Sequence, residues 1–188
     1  MATPQSIEWL IATNMRDAVS EWCINDVDTD DPSRADNVII GKPQDELVDE
    51  ITLSIHVHHP LGPGSDRDTD VTGLSGGLSQ RKWNFPGETF GGMRVEEIVG
   101  CVQIRARVDQ DNYTDALELF GPIVLRIEDA INRDSRLANL EDELGRTMFI
   151  IEAHRREGYE SGGGSTWLDT QWVDWRAYVS STNCRQTS

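Results

Sequence analysis

Two segments with apolar side chains at alternate positions constrain the fold of this chain most. The first, residues 50–59, has apolar side chains at alternate positions, namely Ile51, Leu53, Ile55 and Val57. The second, residues 94–108, repeats the pattern with Ile98, Val102, Ile104, Ala106 and Val108. A period of two places successive side chains on opposite faces of a strand. Both segments are therefore predicted to be β-strands, and Gln103, Arg105 and Arg107 are predicted to share the polar face of the second.

Two other segments have apolar residues at helical spacing. The first stripe runs to about residue 23 and comprises Ile7, Leu10, Ile11, Met15, Ala18 and Trp22. The second comprises Tyr113, Ala116, Leu117, Phe120, Val124, Ile127 and Ile131. Thr3-Pro4 predicts the start of the first helix, and Asn112 predicts a cap for the second, with Asp115 three residues later. Gly121-Pro122 predicts a kink or a break in the second helix, because proline removes a backbone hydrogen bond.

Three further strands complete the prediction. Residues 37–41 read as a short strand that ends before Pro43. Residues 146–156 carry Met148 and Ile150 opposite Phe149 and Ile151, and two apolar faces indicate a central strand. Residues 166–180 form the last predicted strand.

Residues 60–92 separate the two alternating strands and contain eight of the sixteen glycines. They show no helical period, so we interpret them as a long hairpin arm or lid. The resulting fold class is α+β, an antiparallel or mixed β-sheet packed on two main helices. One domain is expected over residues 1–188, with an extended arm at 60–92 and a frayed tail at 181–188.

The charge balance is the sharpest feature of the composition. The net charge is −16, and the 17 basic residues include only two lysines, Lys42 and Lys82. At molar salt the Debye length is about 3 Å, so the self-repulsion of such a surface nearly disappears. Acidic, Lys-poor composition is similar to that of haloarchaeal proteins, and we expect a protein adapted to high salt. A chain with this charge and no basic face is not expected to bind nucleic acid.

Targeting and cysteine patterns predict an intracellularly folded protein. Residues 1–25 carry charges within an amphipathic pattern and lack the apolar core of a signal peptide. No apolar run reaches transmembrane length, so no membrane partner is expected. Cys23, Cys101 and Cys184 are odd in number and widely spaced, which is typical of thiols in a reducing interior.

Histidines and aspartates offer candidate metal ligands. His56 and His58 lie two residues apart on one predicted strand face, with His59 beside them, and His154 is a distant further candidate. Zinc takes three or four ligands, and this spacing requires no such site. The runs 26–30 and 66–70 both read D-x-D-x-D, as a calcium loop begins, but neither continues as an EF-hand. Solvated surfaces are the favoured interpretation of both features, and a looser cation site stays open. No resident metal or other cofactor is predicted.

The sequence contains no complete catalytic motif of the common types. There is no G-x-S-x-G, and the glycine-rich residues 73–77 lack the Gly-Lys-Ser/Thr of a P-loop. Carboxylate pairs such as Glu96/Glu97 are uninformative among 33 acidic residues. We therefore predict that the chain is not an enzyme and has no catalytic residues.

Three tryptophans in the last predicted strand indicate a covered surface. Trp167 and Trp175 share one face, and Trp172 occupies the other. Aromatic residues and arginine are enriched at interfaces. Two alternatives remain open: a neighbouring subunit covers one of the faces, or the chain covers both by itself.

The order of these elements resembles that of a known family. A first helix, two strands, a long arm, a strand, a helix from Asn112, and two closing strands ending in a W-x-x-W-R-x-Y edge are similar to the tail terminator (tail-completion) proteins of long-tailed phages. The resemblance extends over most of residues 4–180 and includes no invariant motif.

The resemblance implies a virion protein made in the host cytoplasm and placed in the tail or neck. Such proteins form homohexameric rings that join the tail tube to the neck, and they have no catalytic residues. The implied partners are copies of the chain itself and the tail-tube and neck proteins, while DNA passes through the lumen without specific binding. A neck adaptor or stopper, or a tail-tube protein, stays an alternative. A different class, a small haloarchaeal enzyme or metal-binding protein using His56 and His58, is the rival hypothesis.

Overall fold

The fold is an α+β arrangement in which a mixed five-stranded sheet combines with two helices. The computed structural model describes residues 6–41, 53–58, 93–107, 113–155 and 168–182. The strands follow the spatial order β1-β2-β3-β5-β4, with β1 parallel to β2 and the other pairs antiparallel. The predicted fold class is thus confirmed, as is the predicted order of the elements along the chain.

The bounds of the elements agree closely with the periodicity of the sequence. The helices are α1 (Ile7–Ser20), which continues into a π-helical turn (Glu21–Asn25), and α2 (Tyr113–Arg133), which a short 3₁₀ turn (Ser135–Leu137) follows. The strands are β1 (Asn37–Ile40), β2 (Leu53–Val57), β3 (Met93–Arg107), β4 (Arg146–Arg155) and β5 (Leu168–Thr182). The proposed arm at 60–92 and Val108 lie outside the described residues. Of the frayed tail predicted at 181–188, the first two residues instead belong to β5, and 183–188 lie outside the described residues.

One hydrophobic core joins both helices to one face of the sheet. The helices contribute apolar side chains such as Ile11 and Ile127, and the sheet contributes alternate residues such as Ile55 and Ile104. Each of these four side chains is fully buried. Both helices therefore cover the same face of the sheet, as the apolar stripes predicted.

The helices differ from their predictions at the start of α1 and at Gly121-Pro122 in α2. The first helix begins at Ile7, where the side chain of Ser6 accepts a hydrogen bond from the Trp9 amide, whereas Thr3-Pro4 lies outside the described residues. Of the kink or break predicted at Gly121-Pro122, the break does not occur, because α2 runs through Pro122 without interruption. Pro122 is exposed, and the buried side chains on either side of it hold the helix against the sheet.

The predicted central position of residues 146–156 is also wrong. β4 lies at one edge of the sheet, and Phe149 and Ile150 are 46% and 45% exposed. A bulge between Met148 and Ile150 inserts one extra residue, so that Ile150 lies opposite Tyr178 on the face away from the core. Strict alternation would have placed Ile150 with Met148, which is why the sequence pattern was misleading here.

A cluster of charged groups attaches the start of α1 to the start of β4. Arg146 donates from Nε to Asp142 Oδ2 at 2.7 Å and from its two terminal nitrogens to Glu8 at 3.1 and 3.2 Å. Asp142 Oδ2 also accepts from the amide of Ile7 at 3.2 Å. We call Glu8, Asp142 and Arg146 the charge clamp. Since its members are separated by up to 138 positions in sequence, it fixes two distant parts of the chain together.

Candidate subunit-contact surface

The sheet face away from the helices carries the polar rows predicted from the sequence. We call this the outer face. In β2 and β3 it includes Ser54, His56, Gln103 and Arg105, since His56 pairs with Gln103 and Ser54 with Arg105. In β5 and β4 it includes Trp172, Asp174, Arg176, Tyr178 and Ile150. It divides into a buried region and an open region, which differ in what they can bind.

The buried region surrounds His56 and His58. Their side chains were predicted to lie on a solvated face, and that prediction is wrong, because His56 is 5% and His58 is 8% exposed. The Nε2 atom of His58 lies 3.0 Å from Gln103 Oε1, and its ring is 5.6 Å from that of Trp172. His56 Nε2 lies 3.0 Å from Ser54 Oγ. Both histidines are thus held in place by neighbours within the sheet.

Burial changes the chemistry of His56. Desolvation, together with the charges of Arg105 and His58, lowers the pKa of His56 to about 4. The folded protein therefore keeps this imidazole neutral through the range in which an exposed histidine becomes charged.

A pH dependence follows from the lowered pKa of His56. Because the unfolded chain takes up the proton near pH 6.5 and the folded chain only near pH 4, stability falls as the pH drops between these values. From pH 8 to pH 5 the loss assigned to His56 is on the order of 2 kcal/mol. We expect His56→Gln to remove it, as measured by denaturant unfolding at both pH values.

The control for this pH prediction is His154→Gln, since His154 is exposed on β4. That variant should keep the same pH dependence as the unchanged protein. Equal slopes in the His56 variant and the unchanged protein would contradict the prediction.

The open region lies where β4 and β5 pair. Phe149 and Ile150 are both almost half exposed, and the ring of Phe149 lies 6.3 Å from that of Tyr178. Aromatic pairs at such a separation are favourable contacts that also present a broad apolar surface. These three large side chains form an apolar patch on a chain whose net charge is −16.

Arg176 borders these apolar side chains. Its guanidinium lies 3.5 Å from Glu97, which pairs with Tyr178 across the β3–β5 ladder. A hydrogen bond with Tyr178 is the main cause that raises the pKa of Arg176, and the charges of Glu97 and Glu152 add to it. Tyrosine and arginine beside exposed aromatic and aliphatic groups are typical of the centre of an interface. We call Phe149, Ile150, Arg176 and Tyr178 the contact surface.

The outer edge of β4 is largely occupied by the chain itself. The amide of Met148 donates to the carbonyl of Leu140 at 2.7 Å. Farther along, the amides of Ala153 and Arg155 donate at 2.9 Å to side chains of α2, Asn132 Oδ1 and Glu128 Oε1. These contacts block pairing with another strand at those positions. A partner could therefore contact the side chains of the contact surface. It could not add a further strand at these positions of the β4 edge.

The tryptophans of the last strand are accounted for within one chain. Trp172 and Trp175 lie on opposite faces of β5, and they are 4% and 1% exposed. For these two residues the alternative in which the chain covers both faces is confirmed. Trp167 lies outside the described residues. Alternation placed these tryptophans on opposite faces of β5 but could not show that the chain itself buries both of them.

The remaining candidates do not come together. Asp26, Asp28 and Asp30 are exposed, as a solvated loop predicts, while 66–70, His59, Gly73–Gly77 and Cys184 lie outside the described residues. Cys23 and Cys101 are buried, and burial raises the pKa of Cys23 to about 12. Within the described ranges no three His, Cys, Asp or Glu side chains form a cluster that could hold a metal ion.

No helix within the described part of the chain is long and apolar enough to cross a membrane. Comparison with protein-family models found no match, and comparison with the sequences of curated proteins found none either.

Proposed function

We propose that this chain is a structural virion protein, a ring-forming tail terminator subunit that joins the tail tube to the neck of a virus of haloarchaea. The resemblance in element order supports this proposal, and the α+β arrangement is compatible with it. The observation that carries it is the contact surface, where Phe149, Ile150 and Tyr178 leave apolar area open beside Arg176.

The partner we assign to this surface is a second copy of the chain. A ring requires that one surface meet a different surface on the next copy and that the rotation close. At low salt the net charge of −16 on each copy opposes such a contact. Concentrated salt removes that repulsion but leaves apolar contacts intact, so the association should strengthen with salt.

The occupied edge of β4 defines the kind of contact. Because the amides of Met148, Ala153 and Arg155 are already bonded, the ring contact at β4 uses side chains of the outer face instead of a continued sheet.

The ring would present acidic surfaces to its lumen, and repulsion between like charges would let DNA pass through without binding. A neutral or basic lumen in a ring structure would contradict this part of the proposal.

Ile150→Asp is expected to weaken ring assembly by about 30-fold, because removing a central apolar contact costs about 2 kcal/mol. The measurement is light scattering after size-exclusion chromatography in multimolar salt over a range of protein concentrations. The matched control is Leu125→Asp, which makes the same change at a 56% exposed position on α2.

The unchanged protein and the control should both form rings of the same mass. Rings of equal stability in the Ile150 variant would show that the contact surface is not used. A monomer in all conditions, which also fails to form rings with the tail-tube protein, would contradict the ring function itself. Near-stoichiometric metal in the purified monomer would favour the rival metal-binding hypothesis.

A further inference from the structure

A second cluster of interest lies on the outer face at the opposite side of the sheet from the contact surface. Asn37 of β1 pairs with Ser54 of β2, and Ser54 pairs with Arg105 of β3. His56 follows Ser54 by two residues and therefore has the same orientation. These four side chains occupy neighbouring positions on one face of three adjacent strands.

Two polar atoms in this cluster are buried without a hydrogen-bond partner among the described residues. They are His56 Nδ1 and Asn37 Oδ1. His56 is 95% buried, and its other ring nitrogen is already engaged by Ser54. Leaving a buried polar atom unsatisfied is destabilising, so two such atoms at diagonal positions indicate that something binds between them.

The charge of the neighbourhood selects the kind of ligand. Arg105 shares the face, and its positive charge acts on His56. A cation would be repelled by the guanidinium, while an anion would be attracted, and burial strengthens both effects.

The hydrogen-bonding capacity of the cluster agrees with this choice. If the Ser54 hydroxyl donates to His56 Nε2, the ring proton lies on Nδ1 and is a free donor. The amide of Asn37 can turn to present its NH₂ group, because oxygen and nitrogen of an amide have nearly the same shape. Two donors on adjacent strands then lie on the same face of the sheet as Arg105.

We propose that one small monovalent anion, chloride in a saline medium, binds between His56 Nδ1 and the side-chain amide of Asn37 beside Arg105. The ion satisfies both atoms and selects the Nδ1-protonated form of His56. It contributes folding stability that depends on chloride concentration, since only the folded chain forms the site. This site does not depend on the proposed ring function.

The first test is direct detection. Crystals of the full chain are transferred from chloride to bromide, and anomalous scattering is measured at the bromine edge. We expect a peak within hydrogen-bond distance of His56 Nδ1. A water molecule at that position in both salts, with no anomalous peak, would overturn the proposal.

The second test measures linkage in solution. Chloride is exchanged for acetate at constant ionic strength, and unfolding is followed in the unchanged protein, in His56→Gln and in the control His154→Gln. Above the dissociation constant, each tenfold rise in chloride should lower the unfolding equilibrium constant about tenfold in the unchanged protein and the control. The His56 variant should lose this response. Equal chloride dependence in all three proteins would refute the site. If His56→Gln does not fold, Asn37→Leu replaces it in the same comparison.

Discussion

Replacing Arg146 by methionine is expected to lower the free energy of unfolding by about 3–5 kcal/mol, the range found when one partner of a buried ion pair is removed. Methionine keeps most of the apolar stem but removes the guanidinium. The loss is large because the side chain of Asp142 is 0% exposed and would remain buried without its cation. Denaturant unfolding near pH 7 in high salt measures the effect.

The geometry of the charge clamp explains why replacing Arg146 should lower the free energy of unfolding so much. Arg146 holds Glu8 with two nitrogens at once, and two parallel hydrogen bonds of this kind are both strong and directional. Asp142 in turn accepts from the amides of Leu144 and Arg146 through Oδ1 and from Ile7 through Oδ2. Removing the guanidinium therefore disturbs the first turn of α1 and the start of β4 together.

The pH dependence of the variant provides a second readout. Burial alone would raise the pKa of Asp142 and of Glu8, but hydrogen bonds, chiefly with Arg146, outweigh burial and lower both. Their stabilising contribution is present above the unfolded pKa values of about 3.9 and 4.3, and it is lost as the pH falls through the lower folded values. The difference in stability between Arg146→Met and the unchanged protein should consequently shrink as the pH falls below about 4.

The matched control is Arg133→Met. Arg133 pairs with Asp129 along α2 at 3.2 Å, but its side chain is 70% exposed. Exposed pairs of this type contribute about 0.5 kcal/mol or less. Equal losses in the two variants would show that the charge clamp is no more important than a surface ion pair. Because the clamp fixes the start of β4, we also expect Arg146→Met to weaken the proposed ring assembly through Phe149 and Ile150.

The sequence predicted the elements well because periodicity is a local property. The order of helices and strands, and the inward faces of β2 and β3, follow from apolar residues that repeat every two or every three to four positions. The same reasoning failed at Phe149 and Ile150, because one extra residue in a bulge reverses the alternation that follows it.

The candidate sites were harder to predict because they depend on what covers a face and on contacts between distant residues. Alternation correctly grouped Ser54, His56 and His58, but it could not show that all three are buried. The charge clamp joins positions 8, 142 and 146, and nothing in the local pattern distinguishes these three groups among 50 charged side chains (33 acidic plus 17 basic). Only the register of the strands and the docking of α1 bring them together.

Replacing Trp175 by alanine is expected to lower the free energy of unfolding by about 3–5 kcal/mol, the usual cost of removing a large aromatic side chain from a core. Trp175 is 1% exposed and lies directly across from Gly100 in the β3–β5 ladder. Its indole occupies the place where any side chain at Gly100 would be, since a Cβ atom there would lie 2.6 Å from Cε2 of the indole. Its Nε1 has no hydrogen-bond partner among the described residues, so the expected loss is one of packing.

A double-mutant cycle with Gly100→Ala tests whether this contact is the cause. In the unchanged protein the added methyl group overlaps the indole and should cost about 1–3 kcal/mol. In the Trp175→Ala background the same methyl group partly fills the cavity, so its effect should become neutral or stabilising. The control is Gly121→Ala in α2, where a Cβ atom would meet nothing within 4 Å and alanine should stabilise the helix by about 0.5–1 kcal/mol in both backgrounds. Additive effects of the Gly100 and Trp175 substitutions would mean that glycine is required at position 100 for a reason other than the indole.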